Sequence, residues 1–173
     1  MAQWPTMTVL RPVPLTTLSF APFGEVIEPV SGKPLEINQG FAKRFDDLAH
    51  VDTARMRGST KVSLFVAQPR PLPLSIALME RHPIGSQLFH PLQDRPWLIV
   101  VCGDPEDAAS FSAFMATGRQ GINYARNVWH HPLLVFDADS QFMVVDRKGP
   151  GENLLEQVLA QPIVVDVGAF AIA

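Results

Sequence analysis

Apolar residues fall in short runs along the chain, and prolines or polar turns separate one run from the next. The 16 prolines among 173 residues exceed the usual share of about 5%, which disfavours long helices. Short apolar runs with frequent turns are typical of strands in a sandwich or barrel. The pattern predicts strands at 25–28, 35–45, 62–67, 74–81, 86–92, 97–102, 133–137, 141–146 and 163–167.

The chain is predicted to begin with an extended arm, 1–14, and then a short helix. Within the arm, 9–13 can pair only as an edge strand, because Pro12 has no N–H to donate. Thr16 or Thr17 is a suitable cap for the helix, since a threonine hydroxyl can accept from the exposed N–H groups of the first turn.

Spacing within the runs predicts two local geometries. The runs 133–137 and 141–146 flank three turn residues, which favours a hairpin. In the run 35–45, Asn38 and Arg44 are six residues apart. A single strand would therefore place both side chains on one face.

Two stretches are ambiguous in the pattern. The run 111–115 is compatible with either a helix or a strand. The segment 153–160 has helical propensity, because Asn153 can cap it and leucines and valines form a stripe. These stretches need information beyond local propensity.

Composition narrows the class of protein. The length suits one domain, 1–173, and 47% hydrophobic residues allow a substantial core. A net charge of −3 without a basic run argues against nucleic-acid binding. We expect no signal peptide and no membrane segment, and hence a soluble cytoplasmic protein. Cys102, the only cysteine, ends an apolar run and is predicted to be an inert core thiol.

The segment from Glu80 to Leu92 concentrates candidate chemistry around a turn. It is predicted as strand, turn and strand, with Glu80 and His82 two apart and therefore on one face. Gln87 follows the turn and can fold back toward them. A carboxylate, an imidazole and an amide would then converge on one face of a hairpin, as general acid and base groups or as metal ligands.

A second polar segment lies about forty residues further on, from Gly121 to Leu133. His130 and His131 would point to opposite faces of an extended chain, so at most one would face the interior. The other is predicted to lie at the surface or to make a structural hydrogen bond. Arg126 and Tyr124, two residues apart, precede them.

Together the two segments resemble the two motifs of the cupin superfamily, and more closely the signatures of bacterial ureidoglycolate lyases. The matching residues are Glu80-Arg81-His82-Pro83, Gly85-Ser86-Gln87, Gly121-Ile122-Asn123-Tyr124, Trp129-His130-His131-Pro132-Leu133, Asp146-Arg147, Asn38-x-Gly40, Arg44 and Asp47-Leu48-Ala49. The resemblance extends from Leu15 to Asp166. It implies a mainly β fold, a cupin-type antiparallel β-barrel (a double-stranded β-helix or jelly roll) with a few short helices, and usually a homodimer. It also favours a strand at 153–160.

The activity that the resemblance implies is cleavage of (S)-ureidoglycolate to glyoxylate and urea in allantoin and purine breakdown. Breaking the C–N bond needs a base for the hydroxyl proton and an acid for the departing nitrogen. The predicted catalytic residues are Glu80, His82, His130 and His131. Of the last two His130 is favoured, because the cupin ligand commonly follows an aromatic residue.

The substrate carboxylate calls for a cation, and Arg126 is the first candidate because its planar guanidinium pairs with carboxylates. Further polar contacts are predicted from Tyr124, Gln87, Asn38, Arg44 and Lys61. Asp146 and Arg147 are interpreted as a structural ion pair at the end of a strand.

The chain departs from metal-binding cupins at two positions. Glu80 occupies the place of the first histidine, and Gln87 that of the carboxylate. Because an amide is a weak neutral ligand, we expect at most a weakly bound divalent metal, with nickel implied by the resemblance. The ligands would be His82, Glu80 and His130.

Three other functions are compatible with the residues. An amidohydrolase acting on the same substrate would release ammonia and carbon dioxide instead of urea. A non-catalytic cupin that binds a small acid as a sensor would be expected to carry an output domain, and none is visible. A metal-dependent dioxygenase needs more nitrogen ligands than the first motif supplies.

Overall fold

A computed structural model describes residues 8–29 and 33–168. Within this part of the chain it contains fifteen strands, one short α-helix, α1, at Thr17–Phe20, and three short 3₁₀ helices at Asn38–Gly40, Arg55–Arg57 and Ala108–Ser110. The strands are β1 Val9–Leu10, β2 Val13–Pro14, β3 Gly24–Ile27, β4 Leu35–Ile37, β5 Ala42–Arg44, β6 Ser59–Ala67, β7 Leu74–Arg81, β8 Gln87–Pro91, β9 Trp97–Cys102, β10 Phe111–Ala116, β11 Gly121–Tyr124, β12 Trp129–His130, β13 Leu134–Val135, β14 Ser140–Lys148 and β15 Leu155–Val165. None of the helices in the described ranges is long and apolar enough to cross a membrane.

Two large sheets form the body of the protein. The first has the order β1-β15-β7-β12-β9-β10-β2, with β13 also paired to β9, and the second has the order β3-β11-β8-β14-β6. The predicted antiparallel barrel is confirmed for the main strands. The N-terminal arm adds two short parallel pairings, β1 with β15 and β2 with β10.

The first sheet is curled until its two edges meet. Its edge strands β1 and β2 are separated only by Arg11 and Pro12. Two intervening residues span roughly 11 Å at most, because consecutive Cα atoms are about 3.8 Å apart. An eight-stranded sheet can place its outer strands this close together only by closing on itself.

Apolar side chains form two cores that share the strand β9. Trp97, Ile99 and Val101 enter the first core, which lies between the two sheets, with Phe89, Ile122, Phe142 and Val144 of the second sheet. Leu98, Val100 and Cys102 enter the second core, inside the curled first sheet. Because both faces of β9 are buried, its sequence is an unbroken apolar run.

Cys102 is buried, as predicted for a core thiol. Burial, with a smaller contribution from the charge of Asp104, raises the pKa of its thiol to about 12. The thiolate is therefore negligible at neutral pH, and the residue acts as a small apolar side chain.

Local signals at the start of the chain predict the edge strands and the helix cap that form there. Of the predicted arm, residues 1–7 lie outside the described residues, and the rest forms the edge strands β1 and β2, interrupted at Arg11 and Pro12. Thr16 is the N-cap of α1, and its hydroxyl accepts from the Ser19 amide at 3.1 Å. The Ser19 hydroxyl in return accepts from the Thr16 amide, which completes a capping box.

Two predicted geometries were wrong. The segment 35–45 is a hairpin, β4 and β5, whose turn places Asn38 and Gln39 at positive φ. Asn38 and Arg44 therefore do not share the face of one strand. The expected hairpin of 133–137 with 141–146 does not form either, because β13 pairs with β9 in the first sheet and β14 pairs with β6 and β8 in the second.

The ambiguous stretches are both extended. The segment 111–115 belongs to β10, which pairs along its whole length with β9. The segment 153–160 enters β15, which pairs with β7 and has an irregular register between Val158 and Ile163. Pairing along β7 thus overrides the helical propensity of this segment.

Arg147 donates hydrogen bonds to three loop carbonyls beside the second sheet. Its Nε donates to the carbonyl of Arg55 at 3.0 Å, and its Nη2 donates to those of Met56 and Pro150 at 3.3 and 2.7 Å. The side chain is buried and points to the outer face of β14, whereas Asp146 pairs with Lys61. The predicted Asp146–Arg147 ion pair is therefore wrong.

Candidate active site

The first motif connects the two sheets instead of forming a hairpin. Glu80 lies on β7 in the first sheet, and Gln87 begins β8 in the second. The turn from His82 to Ser86 carries the chain across the space between them. The predicted convergence of Glu80, His82 and Gln87 is present, but the groups approach from facing sheets.

Three side chains form the centre of the candidate site. Ligand atoms of Glu80, His82 and His130 all lie within 4.8 Å of one another. The register of β12 and β7 places His130 directly opposite Glu80, with 3.5 Å between Nε2 and Oε1. The rings of His82 and His130 are 5.2 Å apart. We call Glu80, His82 and His130 the acid–histidine cluster.

Backbone carbonyls orient both imidazoles of this cluster. The Nδ1 of His82 lies 2.6 Å from the carbonyl of Asn153, and the Nδ1 of His130 lies 2.9 Å from that of Val128. A carbonyl can only accept, so the proton of each neutral ring resides on Nδ1. Each ring then presents a lone pair on Nε2 to the cluster.

Burial keeps His82 neutral. It lowers the pKa of the imidazole, the charge of His130 lowers it further, and contacts with Asn153, Glu80 and Gln87 only partly compensate. The Gln87 amide oxygen lies 3.1 Å from the Nε2 of His82. Rotating this amide by 180° presents its NH2 group, which can donate to the lone pair.

Glu80 is ionised at neutral pH. Burial raises the pKa of its carboxyl, but the contact with His130 and the charges of the three neighbouring histidines outweigh burial, so the pKa lies below its ordinary value. The 3.5 Å separation from His130 is long for a hydrogen bond. The two groups therefore do not form a well-made hydrogen bond with each other.

The arrangement of lone pairs fits a divalent cation. His130 Nε2 is buried and has no hydrogen-bond partner, and it faces the carboxylate of Glu80. Two acceptors facing each other in a buried place are unfavourable unless a proton or a cation lies between them. Two imidazoles and one carboxylate are also a donor set typical of first-row metals.

His131 lies outside the acid–histidine cluster. Its side chain is buried and its Nδ1 contacts the carbonyl of Pro132 at 2.7 Å, so of the two predicted alternatives it makes a structural hydrogen bond and does not lie at the surface. Burial lowers the pKa of its imidazole to about 4, and the charge of Arg70 contributes. His131 is therefore a neutral, structurally bonded side chain at pH 7.

Tyr124 packs against the cluster. Its ring is stacked on that of His130, with centroids 4.1 Å apart and an angle of 15° between the planes. Burial, followed by the charge of Glu80, raises the pKa of its phenol above the ordinary value, so the hydroxyl keeps its proton. Contact of this hydroxyl with the substrate stays a prediction.

Arg126 lies in the turn after β11, at the edge of the cluster. It donates from Nη1 to the carbonyl of Pro83 at 3.3 Å, and its Nε is 3.7 Å from a carboxylate oxygen of Asp52. Pro83 belongs to the turn that follows His82, so the guanidinium is adjacent to the first motif. Its side chain is 42% exposed and accessible to an anion.

The remaining predicted contacts are divided between two places. Asn38 and Arg44 are exposed in the β4–β5 hairpin, and Arg44 pairs with Asp46 at 2.8 Å. The structure does not bring them to the acid–histidine cluster within one chain. Lys61, on β6, pairs instead with Asp146 on the neighbouring strand of the second sheet.

Sequence reasoning missed Asn153 as a supporting residue. Its carbonyl orients His82, and its side-chain Oδ1 accepts from the amide of Ile84 at 2.8 Å. Asn153 thus contacts the turn at its first residue, His82, and at Ile84. A backbone carbonyl leaves no signature in residue type, so the sequence offered no signal for this contact.

A barrel of two facing sheets, with histidines and a carboxylate converging between them, is the arrangement of a cupin-type protein. The family model described as ureidoglycolate lyase matches residues 7–166. The chain belongs to the ureidoglycolate lyase family, and its resemblance to that family is confirmed.

Curated relatives agree with this family. A Burkholderia mallei protein named ureidoglycolate lyase is 50% identical over 159 residues, covering 91% of this chain and 93% of the relative. Rhizobium meliloti ureidoglycolate lyase 1 is 53% identical over 144 residues, covering 83% and 85%. A Pseudomonas syringae pv. tomato protein of the same name is 48% identical over 149 residues, covering 85% and 88%.

Proposed function

We propose that this protein is a ureidoglycolate lyase, which cleaves the C–N bond of ureidoglycolate to give glyoxylate and urea. The observation that carries the proposal is the acid–histidine cluster, Glu80 with the Nε2 lone pairs of His82 and His130. Family membership, with relatives near 50% identity that bear this name, supplies the substrate.

The reaction transfers one proton from oxygen to nitrogen. The hydroxyl of ureidoglycolate loses its proton, the C–O bond becomes a carbonyl, the C–N bond breaks, and the ureide nitrogen gains a proton. The Nε2 of neutral His82 is suited to accept the hydroxyl proton. Glu80, which is ionised beside it, then stabilises the imidazolium.

The same cluster supplies the proton for the leaving group. Once protonated, His82 is an acid able to return the proton to the ureide nitrogen, and His130 beside Glu80 is the second candidate. One proton is conserved through the cycle, so no external donor is needed. A positioned acid or base typically contributes ~10²–10⁴-fold.

A divalent metal, if bound, would be held by His82, His130 and Glu80, and the family resemblance implies nickel. Such an ion would act as a Lewis acid that polarises an oxygen of the substrate. Gln87, an amide near His82, is a poor fourth ligand and favours weak binding. Arg126 is proposed as the partner of the substrate carboxylate.

A homodimer is proposed as well, as the resemblance implies. The outer face of β6 exposes three apolar side chains, Val62, Leu64 and Val66, each at least 60% accessible. Strand β6 is also an edge of the second sheet, so both its face and its edge are open to a second copy. Light scattering on a size-exclusion column measures the molar mass, and a homodimer gives twice the mass of one chain.

The activity is tested by incubating the purified protein with ureidoglycolate and assaying glyoxylate, urea and ammonia. Equal amounts of glyoxylate and urea are expected. Ammonia without urea would identify an amidohydrolase, and no turnover would favour a small-acid binder. A His82→Gln protein, purified in the same way, controls for contaminating lyase, and a parallel assay with a chelator tests the metal.

A further inference from the structure

A row of polar side chains crosses the second sheet beside the acid–histidine cluster. Tyr124 on β11 pairs opposite Gln87 on β8, and Asp146 on β14 pairs opposite Lys61 on β6. The pairing of β14 with β8 links these two pairs, since Asp146 and Gln87 are the next residues in register. We call Tyr124, Gln87, Asp146 and Lys61 the polar row.

The polar row faces the space between the two sheets. Residues two and four positions before Asp146 on β14 are Val144 and Phe142, and both are fully buried in the first core. Alternation along the strand therefore points Asp146 to the same inner side. Residues directly opposite on neighbouring strands have Cβ atoms about 5 Å apart, so Asp146 lies next to Gln87.

The carboxylate of Asp146 is incompletely satisfied. Its Oδ1 lies 3.1 Å from Lys61 Nζ, but the direction of this contact does not meet hydrogen-bond geometry, and the atom is buried without a hydrogen-bond partner. Lys61 therefore balances the charge of Asp146 and leaves lone pairs available. A buried acceptor without a donor is costly, which favours a ligand that supplies N–H groups.

Resting on the proposed function, we propose that Asp146 binds the ureido group of ureidoglycolate. This group carries three N–H bonds, whereas the opposite end of the molecule is a carboxylate. Asp146 is an acceptor beside Gln87, which contacts His82, so a ureido group held there has its reacting nitrogen close to the cluster. Arg126, beside the turn that follows His82, takes the carboxylate end. Asp146 thus selects for a urea-type leaving group.

Two ligands that are not cleaved separate the two ends of the substrate. N-carbamoylglycine carries the ureido group and the carboxylate but lacks the hydroxyl, and glycolate carries the hydroxyl and carboxylate but lacks the ureido group. Their dissociation constants are measured by calorimetry on the wild-type protein and on Asp146→Asn. Asp139→Asn is the matched control, since Asp139 immediately precedes β14, at the end away from Asp146, and its carboxylate accepts from Gln68 within the described part of the chain.

Asp146→Asn is expected to weaken N-carbamoylglycine on the order of tenfold to a hundredfold, the loss typical of a hydrogen bond to a charged group. Glycolate binding should stay unchanged, and Asp139→Asn should match the wild type for both ligands. Equal weakening of both ligands, or none, in a folded Asp146→Asn protein would overturn the proposal. If that variant does not fold, Asp146→Glu decides in the same way, because it keeps the charge but displaces the carboxylate.

Failure of the proposed role of Asp146 can be distinguished from failure of the proposed lyase function. A wild-type protein that cleaves ureidoglycolate while Asp146→Asn shows no selective loss would reject the role of Asp146 alone. A wild-type protein that binds neither ligand and cleaves nothing would reject the proposed function, and this inference with it. In steady-state kinetics, the expected signature is a higher KM for Asp146→Asn with a smaller change in kcat.

Discussion

The ring of Tyr124 lies against the imidazole of His130, with the centroids 4.1 Å apart and the planes inclined by 15°. This contact restrains the ring whose Nε2 faces Glu80. Tyr124→Phe retains the stack, so kcat should stay within a few-fold of the wild type. Tyr124→Leu loses it and should lower kcat about tenfold, the scale of one aromatic pair. Steady-state kinetics measures both, and a raised KM in Tyr124→Phe would show that the hydroxyl touches the substrate.

His82 is expected to be the base, which gives a pH profile of defined sign. Because burial lowers the pKa of its imidazole, the neutral form persists below pH 6.5, and kcat/KM should fall only at more acidic pH. His82→Gln keeps a hydrogen bond but cannot titrate, so kcat should drop by ~10²-fold or more and the acidic limb should change. His90→Gln, at a histidine outside the cluster, is the control. Near-normal kcat with an unchanged profile in His82→Gln would limit His82 to positioning.

Metal binding is expected to be weak. The acid–histidine cluster offers three ligands, and the neighbouring amide of Gln87 adds little affinity. Elemental analysis of purified protein should find less than one ion per chain, and calorimetric titration with nickel should show binding that Glu80→Gln abolishes. One ion per chain retained through dialysis against a chelator would contradict this expectation.

His131 should make the protein sensitive to mild acid. Its pKa is about 4 in the folded protein and near 6.5 in the unfolded chain, so between these values only the unfolded chain binds the proton. Stability is then full above pH 6.5 and falls as the pH approaches 4, by about 3 kcal/mol from this residue. Denaturant unfolding at pH 7 and pH 4 should show a smaller difference for His131→Asn than for the wild type. The substitution His50→Gln, at an exposed histidine, serves as the control. If the stability lost between pH 7 and pH 4 were the same in His131→Asn and His50→Gln, His131 would be excluded as the cause.

Arg126 is expected to hold the carboxylate of the substrate. Arg126→Lys keeps the charge but loses the planar pair of donors, so kcat/KM should fall about tenfold, the equivalent of one hydrogen bond to a charged group. Arg119→Lys removes the same group at an exposed pair with Asp94 and should behave as the wild type. Unchanged kinetics in Arg126→Lys would rule out this role.

Local sequence patterns predicted several strands correctly, where an apolar run is bounded by turn residues. The bounds 74–81 and 97–102 agree with β7 and β9. An apolar run bounded by turn residues is sufficient evidence for a buried strand. The capped helix after Thr16 was visible for the same reason, since a cap is a contact between residues three apart.

The partner of each strand was not visible in the sequence. The pattern predicts hairpins between runs that follow each other, yet β7 and β8 belong to different sheets, as do β13 and β14. The register that sets His130 opposite Glu80 joins residues fifty positions apart. Local spacing therefore indicated Glu80 and His82, the resemblance to cupins favoured His130, and neither predicted how the three residues converge.

Arg147 also restricts how the sequence of this protein can diverge. A Cβ added at Gly58 would lie 2.3 Å from the carbonyl oxygen of Thr53 and 2.5 Å from Arg147 Nε, and one added at Gly85 would lie 2.8 Å from Arg147 Cβ and 3.0 Å from the carbonyl oxygen of Asp52. Both glycines therefore leave room for one side chain that arrives from a distant strand. Because the carbonyl oxygens of Thr53 and Asp52 also border these positions, replacing Arg147 would not by itself make room for a side chain, and both positions are expected to remain glycine as related sequences separate.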